Sequence, residues 1–350
     1  MANPIDTANH ILVIQPLVGI GDMIWHKPWI DRLAAKTKIT LAAKPTAQPA
    51  ILFPANHHPA LTHLPIQRSM RGKQGRHDGI SGLFRLASDF RNTGADMAII
   101  LHHSPRYVLA CMLAGIKFRL GYGHKFYNLG LNTGLPLDRA MQKSSHAIDR
   151  ISHFSAQNGF GIDAPEWILT PSEQAIDWAT MWLSEQHLIA QNGRPVPFML
   201  FGIGAMDERR CWPAEHFAKL AGLIAKSPLA MPILIIAAPN EEQFLQKILA
   251  EAPKPSDLIP AITSLKEAVA LMSLATGFVG NDSGLLNLMA CLNIPALGLF
   301  SHSKPLTYSP YIYKLELFDD HDYGSEGIIN RITPEAVCAR MMEIWPARTG

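Results

Sequence analysis

A chain of 350 residues is long enough for about two domains at roughly 150 residues each. Apolar residues at 48% and charged residues at 17%, with 25 glycines and 26 prolines in no repeating period, describe a folded globular protein and exclude disorder, collagen and coiled coil. The formal charge of +2 hides an asymmetry: residues 1–165 carry 18 Lys/Arg against 9 Asp/Glu, and residues 166–350 carry 13 against 20. The first half therefore suits an anionic partner.

The N-terminus has no basic flank ahead of an apolar stretch, so no secretory signal is expected. The longest apolar run, 231–238 with a proline at 232, falls short of the roughly 20 residues a membrane-spanning helix needs. In chain order, apolar runs predict strands over 10–15, 39–43 and 97–101, separated by helices over 23–36 and 80–91. In the second helix Ile80, Leu83, Phe84, Ala87 and Phe90 recur at three- and four-residue steps and make one face. The Gly-rich stretch MRGKQGRHDGISG, with Arg68, Arg71, Lys73, Arg76, Arg85 and Arg91 around it, reads either as a solvated basic loop or as an anion-binding one. It has no interleaved aromatics and no nucleic-acid motif, so nucleic acid is not the expected partner.

After the linker QNGRPVP a second series begins, with strands over 198–202, 233–237, 277–280 and 296–300 and helices starting near Pro213, Glu241, Leu265 and Ser283. Strands alternating with helices in both halves predict an α/β protein with parallel sheets. A last helix over 333–344 opens with Thr333-Pro334-Glu335, a capping residue followed by proline at the first helical position. Cys111, Cys211, Cys291 and Cys338 show no CxxC spacing and read as reduced packing residues. No HExxH occurs, and no metal site is expected.

Chemistry concentrates where strands end. The first runs into Pro16-Leu17-Val18-Gly19-Ile20-Gly21-Asp22 and then a helix, where glycines and free N–H groups suit a ligand. A dinucleotide fingerprint is excluded, because Ile24 stands where a third glycine belongs and Lys44 follows the second strand where an acid belongs. No GxxxxGK[ST] occurs either. What is distinctive is Asp22, although read alone it is equally a helix cap. In the second half Gly202-Ile203-Gly204 leads to Arg209, Arg210 and Trp212-Pro213, where an arginine fork can grip phosphate. Glu241 and Glu242 open the next helix and suit ribose hydroxyls or simply its dipole. Gly280-Asn281-Asp282-Ser283-Gly284-Leu285 offers a cap, or amides that cradle a diphosphate.

Taken together, ILVIQPLVGIGDMIWHKPWI, the RRCWP that follows FGIGA, and FVGNDSGLLNLMACLNIPALGLF resemble the family 9 glycosyltransferases, typified by bacterial lipopolysaccharide heptosyltransferases. FRLGYG at 118–123 and His146-x-x-x-Arg150 add to the resemblance, which runs from about residue 10 to 345. It implies a GT-B fold of two Rossmann-like domains with parallel sheets facing an interdomain cleft. The expected division is an acceptor-binding domain over 1–190, a donor-binding domain over 191–332 and a C-terminal helix over 333–350.

The implied reaction is metal-independent, inverting transfer of a heptose-like sugar from ADP-heptose or a related nucleotide sugar, without a resident cofactor. The acceptor is an anionic glycolipid of the lipopolysaccharide core. Residue by residue, Asp22 matches the family's proposed general base; Gly19, Gly21, His102, His103, Ser104 and Arg106 fall on the acceptor side. Arg210 stands where the family has a phosphate-gripping lysine, with Arg209 beside it. Asp282 matches the aspartate at the donor sugar, Ser283, Gly284 and Leu285 the diphosphate amides, and Glu241 or Glu242 the acid near the ribose. Asn287 replaces the family's histidine, and Ser301-His302 replaces its Gly-Pro. Lys304 is the expected compensation for the charge lost at Asn287. The enzyme is expected in the cytoplasm, peripherally at the inner face of the cytoplasmic membrane. Two other readings are a nucleotide-sugar epimerase or hydrolase of the same fold and a non-catalytic nucleotide-sugar-binding protein.

Overall fold

The computed structural model describes residues 4–69, 75–123, 125–138, 141, 146–205, 207–253, 257–302, 304–306, 308–315, 317–319, 323–325 and 327–345. Arg71 and Lys73 of the basic loop lie outside the described residues. The chain divides into two compact units, Met1–Trp167 and Ile168–Gly350.

The first unit is built on β1 (His10–Gln15), β2 (Lys38–Ala43), β3 (Leu61–Pro65), β4 (Met97–Ile100) and β5 (Phe118–Gly121), all parallel in the order β3-β2-β1-β4-β5. The crossovers carry α1 (Ile20–Ala34), α2 (Gly79–Asn92) and α3 (Pro105–Ala114), and α4 (Ala147–Gln157) packs on α1. Interior strands are apolar at nearly every position because a parallel sheet covered by helices buries both faces. Every residue of β1 is buried, and Leu12, Ile14, Ala98 and Ile100 meet Leu86 and Phe90 of α2 and Tyr107 and Cys111 of α3 in one core.

The second unit repeats the plan. Strands β6 (Met199–Gly202), β7 (Ile233–Ala237), β8 (Leu258–Ile262), β9 (Gly277–Asn281), β10 (Ala296–Leu299) and β11 (Ile312–Tyr313) form a parallel sheet in the order β11-β10-β9-β6-β7-β8. Its helices are α5 (Glu173–Glu185), α6 (Ala214–Ala225), α7 (Glu242–Glu251), α8 (Leu265–Ser273), α9 (Gly284–Cys291) and α10 (Pro334–Ile344). Ser264 and Glu267 close a reciprocal capping box on α8, and the Thr333 hydroxyl accepts from the Ala336 N–H, with Pro334 at the first position of α10 as its sequence predicts. Helix α10 docks on α6, and the Trp345 ring occupies the space a side chain at Gly277 would need. Helix α5 packs on α8, so residues 168–190 belong with the second sheet, ahead of the division near 190 that the QNGRPVP stretch suggests.

Both sheets reverse their winding beside a central strand, between β1 and β4 in the first and between β6 and β9 in the second. Open α/β sheets bind ligands outside the carboxyl ends of strands at such reversals. Asp22 and His102 follow β1 and β4, whereas Arg210 and Asp282 follow β6 and β9.

Candidate active site

In the first unit the chain leaves β1 and enters α1 at Ile20 rather than at 23. The reason is Asp22: from the third helical position its carboxylate accepts the Gly19 N–H at 3.1 Å and closes the first turn. Gly19 has an ordinary extended φ of −86°, and a side chain there would strike the Asp22 carboxylate, so the glycine serves a close approach rather than an unusual backbone. Gly21 lies within that turn. Asp22 is therefore a cap, and more than a cap. Burial raises its carboxyl above the ordinary aspartate value against the opposing effects of the Gly19 N–H and the Arg150 charge, so the ionised form is an avid proton acceptor.

The peptide carbonyl of Asp22 is held by Gln15 Nε2 at 3.2 Å and by His26 Nδ1 at 2.7 Å. A carbonyl only accepts, so the His26 proton sits on Nδ1 and Nε2 accepts from the Tyr122 hydroxyl at 3.3 Å. Burial pushes His26 down to about 4, leaving it neutral beneath the carboxylate. The unfolded chain binds this proton near 6.5, so the stability is complete above that pH and is lost as pH falls toward 4. Lowering pH to 5 should cost His26 alone about 2 kcal/mol. Urea unfolding of the native chain and His26→Gln at pH 7.5 and 5 measures it: the variant should be less acid-sensitive by that amount, and equal pH dependence would refute the linkage.

Positive charge gathers at the carboxyl ends of the neighbouring strands. Lys44 follows β2, and Arg68, beyond β3, reaches Asp78 at 3.4 Å. His102 Nδ1 accepts the Ser104 N–H at 2.9 Å, and burial, with the charges of His103, Arg68 and Lys44, pushes it down to about 4. Ser104 stands at the cap of α3 without a side-chain capping bond. His103 donates to the Gly123 carbonyl at 3.1 Å and lies against the Tyr122 ring, so His26, Tyr122 and His103 connect the Asp22 turn to the β4 loop. Arg106 donates to the His77 and Gly79 carbonyls at 2.7 and 2.6 Å, a brace between α3 and the start of α2.

In the second unit the loops after β6, β7 and β9 lie side by side because those strands are adjacent. Arg210 Nη1 reaches the buried Asp282 carboxylate at 3.2 Å across the reversal. Its neighbour Arg209 points elsewhere: its side chain is 72% exposed, against 33% for Arg210, and its fork closes on Asp207 at 2.6 to 3.2 Å. Ser283 occupies the cap of α9 yet makes no capping bond; its Oγ is shielded from water without a hydrogen-bond partner, as is Arg210 Nε. Two buried polar groups without partners beside the free amides of Gly284 and Leu285 form a cradle that fits a diphosphate.

Asn287 fixes the floor of that turn. Its Nδ2 donates to the Ser283 carbonyl at 2.9 Å, and its Oδ1 accepts from the Tyr308 hydroxyl at 2.7 Å. Tyr308 was not anticipated, although a buried asparagine on an otherwise apolar helix signals that a polar partner must come from elsewhere. Lys304 is exposed on the segment leading to it. The Glu241 carboxylate accepts the Ala238 N–H at 2.9 Å and fills the space a side chain at Gly204 would need, whereas Glu242 is exposed at the start of α7. Beneath these loops the Trp212 N–H donates to Asn281 Oδ1 at 2.9 Å, Asn281 Nδ2 donates to the Ile203 carbonyl at 2.7 Å, and the Trp212 indole donates to the Ile332 carbonyl at 2.8 Å.

Among the described residues no group of three or more His, Cys, Asp or Glu could hold a metal ion, and no helix is long and apolar enough to cross a membrane. The four cysteines are free thiols.

Two α/β units, each with a parallel sheet that reverses its winding beside a central strand, make up a GT-B architecture, the fold of a class of glycosyltransferases. Residues 83–325 match the model of glycosyltransferase family 9 (heptosyltransferase), and the chain belongs to that family. It is 26% identical over 313 residues to lipopolysaccharide heptosyltransferase 2 of Escherichia coli (strain K12), covering 87% of this chain and 86% of that protein. It is 23% identical over 365 residues to lipooligosaccharide heptosyltransferase 2 of Haemophilus influenzae, covering 96% and 99%. The structure of E. coli ADP-heptose lipopolysaccharide heptosyltransferase II shares the fold, with a TM-score of 0.73 at 22% identity over 96% of this chain and 98% of that one.

Proposed function

We propose that this glycosyltransferase moves a heptose-like sugar from ADP-heptose to an acceptor of the lipopolysaccharide core, with inversion at the anomeric carbon and without a metal ion or resident cofactor. The observation that carries the reading is Asp22, a half-buried carboxylate at the sheet reversal whose burial raises its affinity for a proton. Asp22 takes the proton of the acceptor hydroxyl as that oxygen bonds to the anomeric carbon. The bond from that carbon to the diphosphate breaks on the opposite side, and the electron pair leaves with the nucleotide. Arg210, the Ser283 hydroxyl and the Gly284 and Leu285 amides meet the charge that develops on the leaving group.

Asp282, held by Arg210, faces the donor sugar, and Glu241 rather than the exposed Glu242 takes the ribose hydroxyls. Lys304 adds positive charge above the cradle. The names of the relatives support the donor and the acceptor. Lys44, Arg68, His102, His103 and Ser104 suit an acceptor rich in phosphate and carboxylate, as does the excess of positive charge in the first half of the chain. Such an acceptor is met at the inner face of the cytoplasmic membrane.

Thermal unfolding with ADP, GDP, UDP, dTDP, CDP and NAD, followed by transfer assays with and without EDTA, tests the proposal. At 100 times its dissociation constant a ligand adds about 2.7 kcal/mol of stability. A shift selective for ADP and turnover unaffected by chelation are expected. A preference for another diphosphate would overturn the donor, and loss of turnover in EDTA would overturn the metal-free mechanism.

A further inference from the structure

One face of the first unit is apolar and open to solvent. On α2, Ile80 and Phe84 stand one turn apart; on α3, Leu109, Met112 and Leu113 are also exposed; and Leu129 projects from the turn that packs beside α3. At the two ends of this row, Ile80 and Leu129 are 80% and 88% exposed. Helices α2 and α3 run side by side, tied at one end by Arg106 to the Gly79 carbonyl and at the other by Arg91 to the Ala114 carbonyl, so these side chains belong to one surface. Large exposed apolar side chains grouped on one surface mark an interaction site rather than ordinary scatter.

The charge around this face is as one-sided as its apolarity. Residues 79–137 contain six Lys/Arg against two Asp/Glu. Of the acids, Asp89 is engaged by Arg76 and His77, and Asp96 caps the opposite end of the sheet through the Asn9 and His10 N–H groups. Arg85 and Lys117 are exposed. Apolar side chains that reach below the headgroups, flanked by the exposed Arg85 and Lys117 for which no ion pair is seen among the described residues, suit an anionic lipid surface. The helix N-termini of this face adjoin the strand ends that carry Arg68 and His102.

We propose that Ile80, Phe84, Leu109, Met112, Leu113 and Leu129 form a membrane-docking face that inserts among anionic phospholipids. This inference rests on the acceptor reading, since a lipid-anchored acceptor is what such docking would serve. Docking delivers the acceptor head group to the cationic strand ends without burying any helix in the bilayer.

The test is co-sedimentation of the full chain with vesicles of phosphatidylethanolamine and phosphatidylglycerol, against vesicles of phosphatidylcholine alone. Binding to the anionic vesicles, weakened by salt and at least tenfold weaker in Phe84→Ser/Leu113→Ser, is expected, with Phe84→Trp binding at least as well as the native chain. Transfer to a soluble acceptor fragment without lipid tails should stay within twofold in the double variant. That assay reports the glycosyl-transfer reading separately from docking. Native protein that ignores anionic vesicles, or a double variant that binds as well as the native chain, would overturn the docking face. So would a native dimer that the double variant converts to monomer, because the face would then be a contact between copies of the chain.

Discussion

Asp22→Asn should lower kcat by roughly 10²–10⁴ while leaving ADP affinity within twofold and the melting temperature equal or higher. The two halves of this expectation have one cause. Burial raises the Asp22 carboxyl, so the folded state favours its protonated form. Any stability from that preference is present below the unfolded value of about 3.9 and is lost as pH rises through the folded one, which makes the ionised side chain a net cost at neutral pH. Asparagine removes the charge, and its Oδ1 can still accept the Gly19 N–H that closes the first turn of α1. A variant that keeps the fold and the nucleotide but loses turnover isolates the base. Turnover within a factor of ten of the native rate would remove Asp22 from that role.

Arg210→Ala should lower kcat/KM by roughly 10²–10³, in the range measured when one preorganised group at a developing charge is removed. It should also lower stability, because Asp282 is buried and loses the guanidinium at 3.2 Å. Arg209→Ala is the matched control. It removes the same charge one residue away, but from a side chain in solvent and closed on Asp207, so less than a threefold change is expected. Equal losses in the two variants would mean that only the net charge of the loop matters. If Lys304→Ala leaves donor affinity unchanged while Arg210→Ala abolishes it, the compensation assigned to Lys304 falls.

The adjacent arginines also mark where sequence stops being informative. Residues 209 and 210 are chemically identical and separated in sequence only by the family resemblance, and it is the single turn over Glu208–Arg210 that sends one toward Asp207 and the other toward Asp282. The fold was legible in a similarly selective way. Every interior strand announces itself as an apolar run, because helices cover both faces of the sheet there. The strands that escape notice, β3, β5, β8 and β11, are the four edges of the two sheets. At an edge one flank is wet: β3 reads LTHLP with exposed residues in its middle, β8 carries a proline, and β11 is only Ile312–Tyr313.

In the candidate site, the sequence places Asp22, Asp282 and Ser283 at junctions of an apolar strand and a helix, and the structure sets each of them there. His26 and Tyr308 stand at no such junction: Tyr308 meets Asn287 only through folding, and His26 meets Tyr122 in the same way. His26 stands one helical turn after Asp22, a spacing that could have linked them.

The clasp around Trp212 gives this architecture room to change. Its hydrogen bonds run to Asn281 and Ile332, and Asn281 in turn secures Ile203, so the loop after β6 is pinned at its two ends by distant stretches of chain. Between the pins, residues 204, 205 and 207–211 contribute little to the core. Glu208 and Arg209, exposed in that interval, can be replaced without disturbing the clasp or the Arg210–Asp282 pair, so the outer surface of this loop is free to vary in sequence while the scaffold keeps its stability.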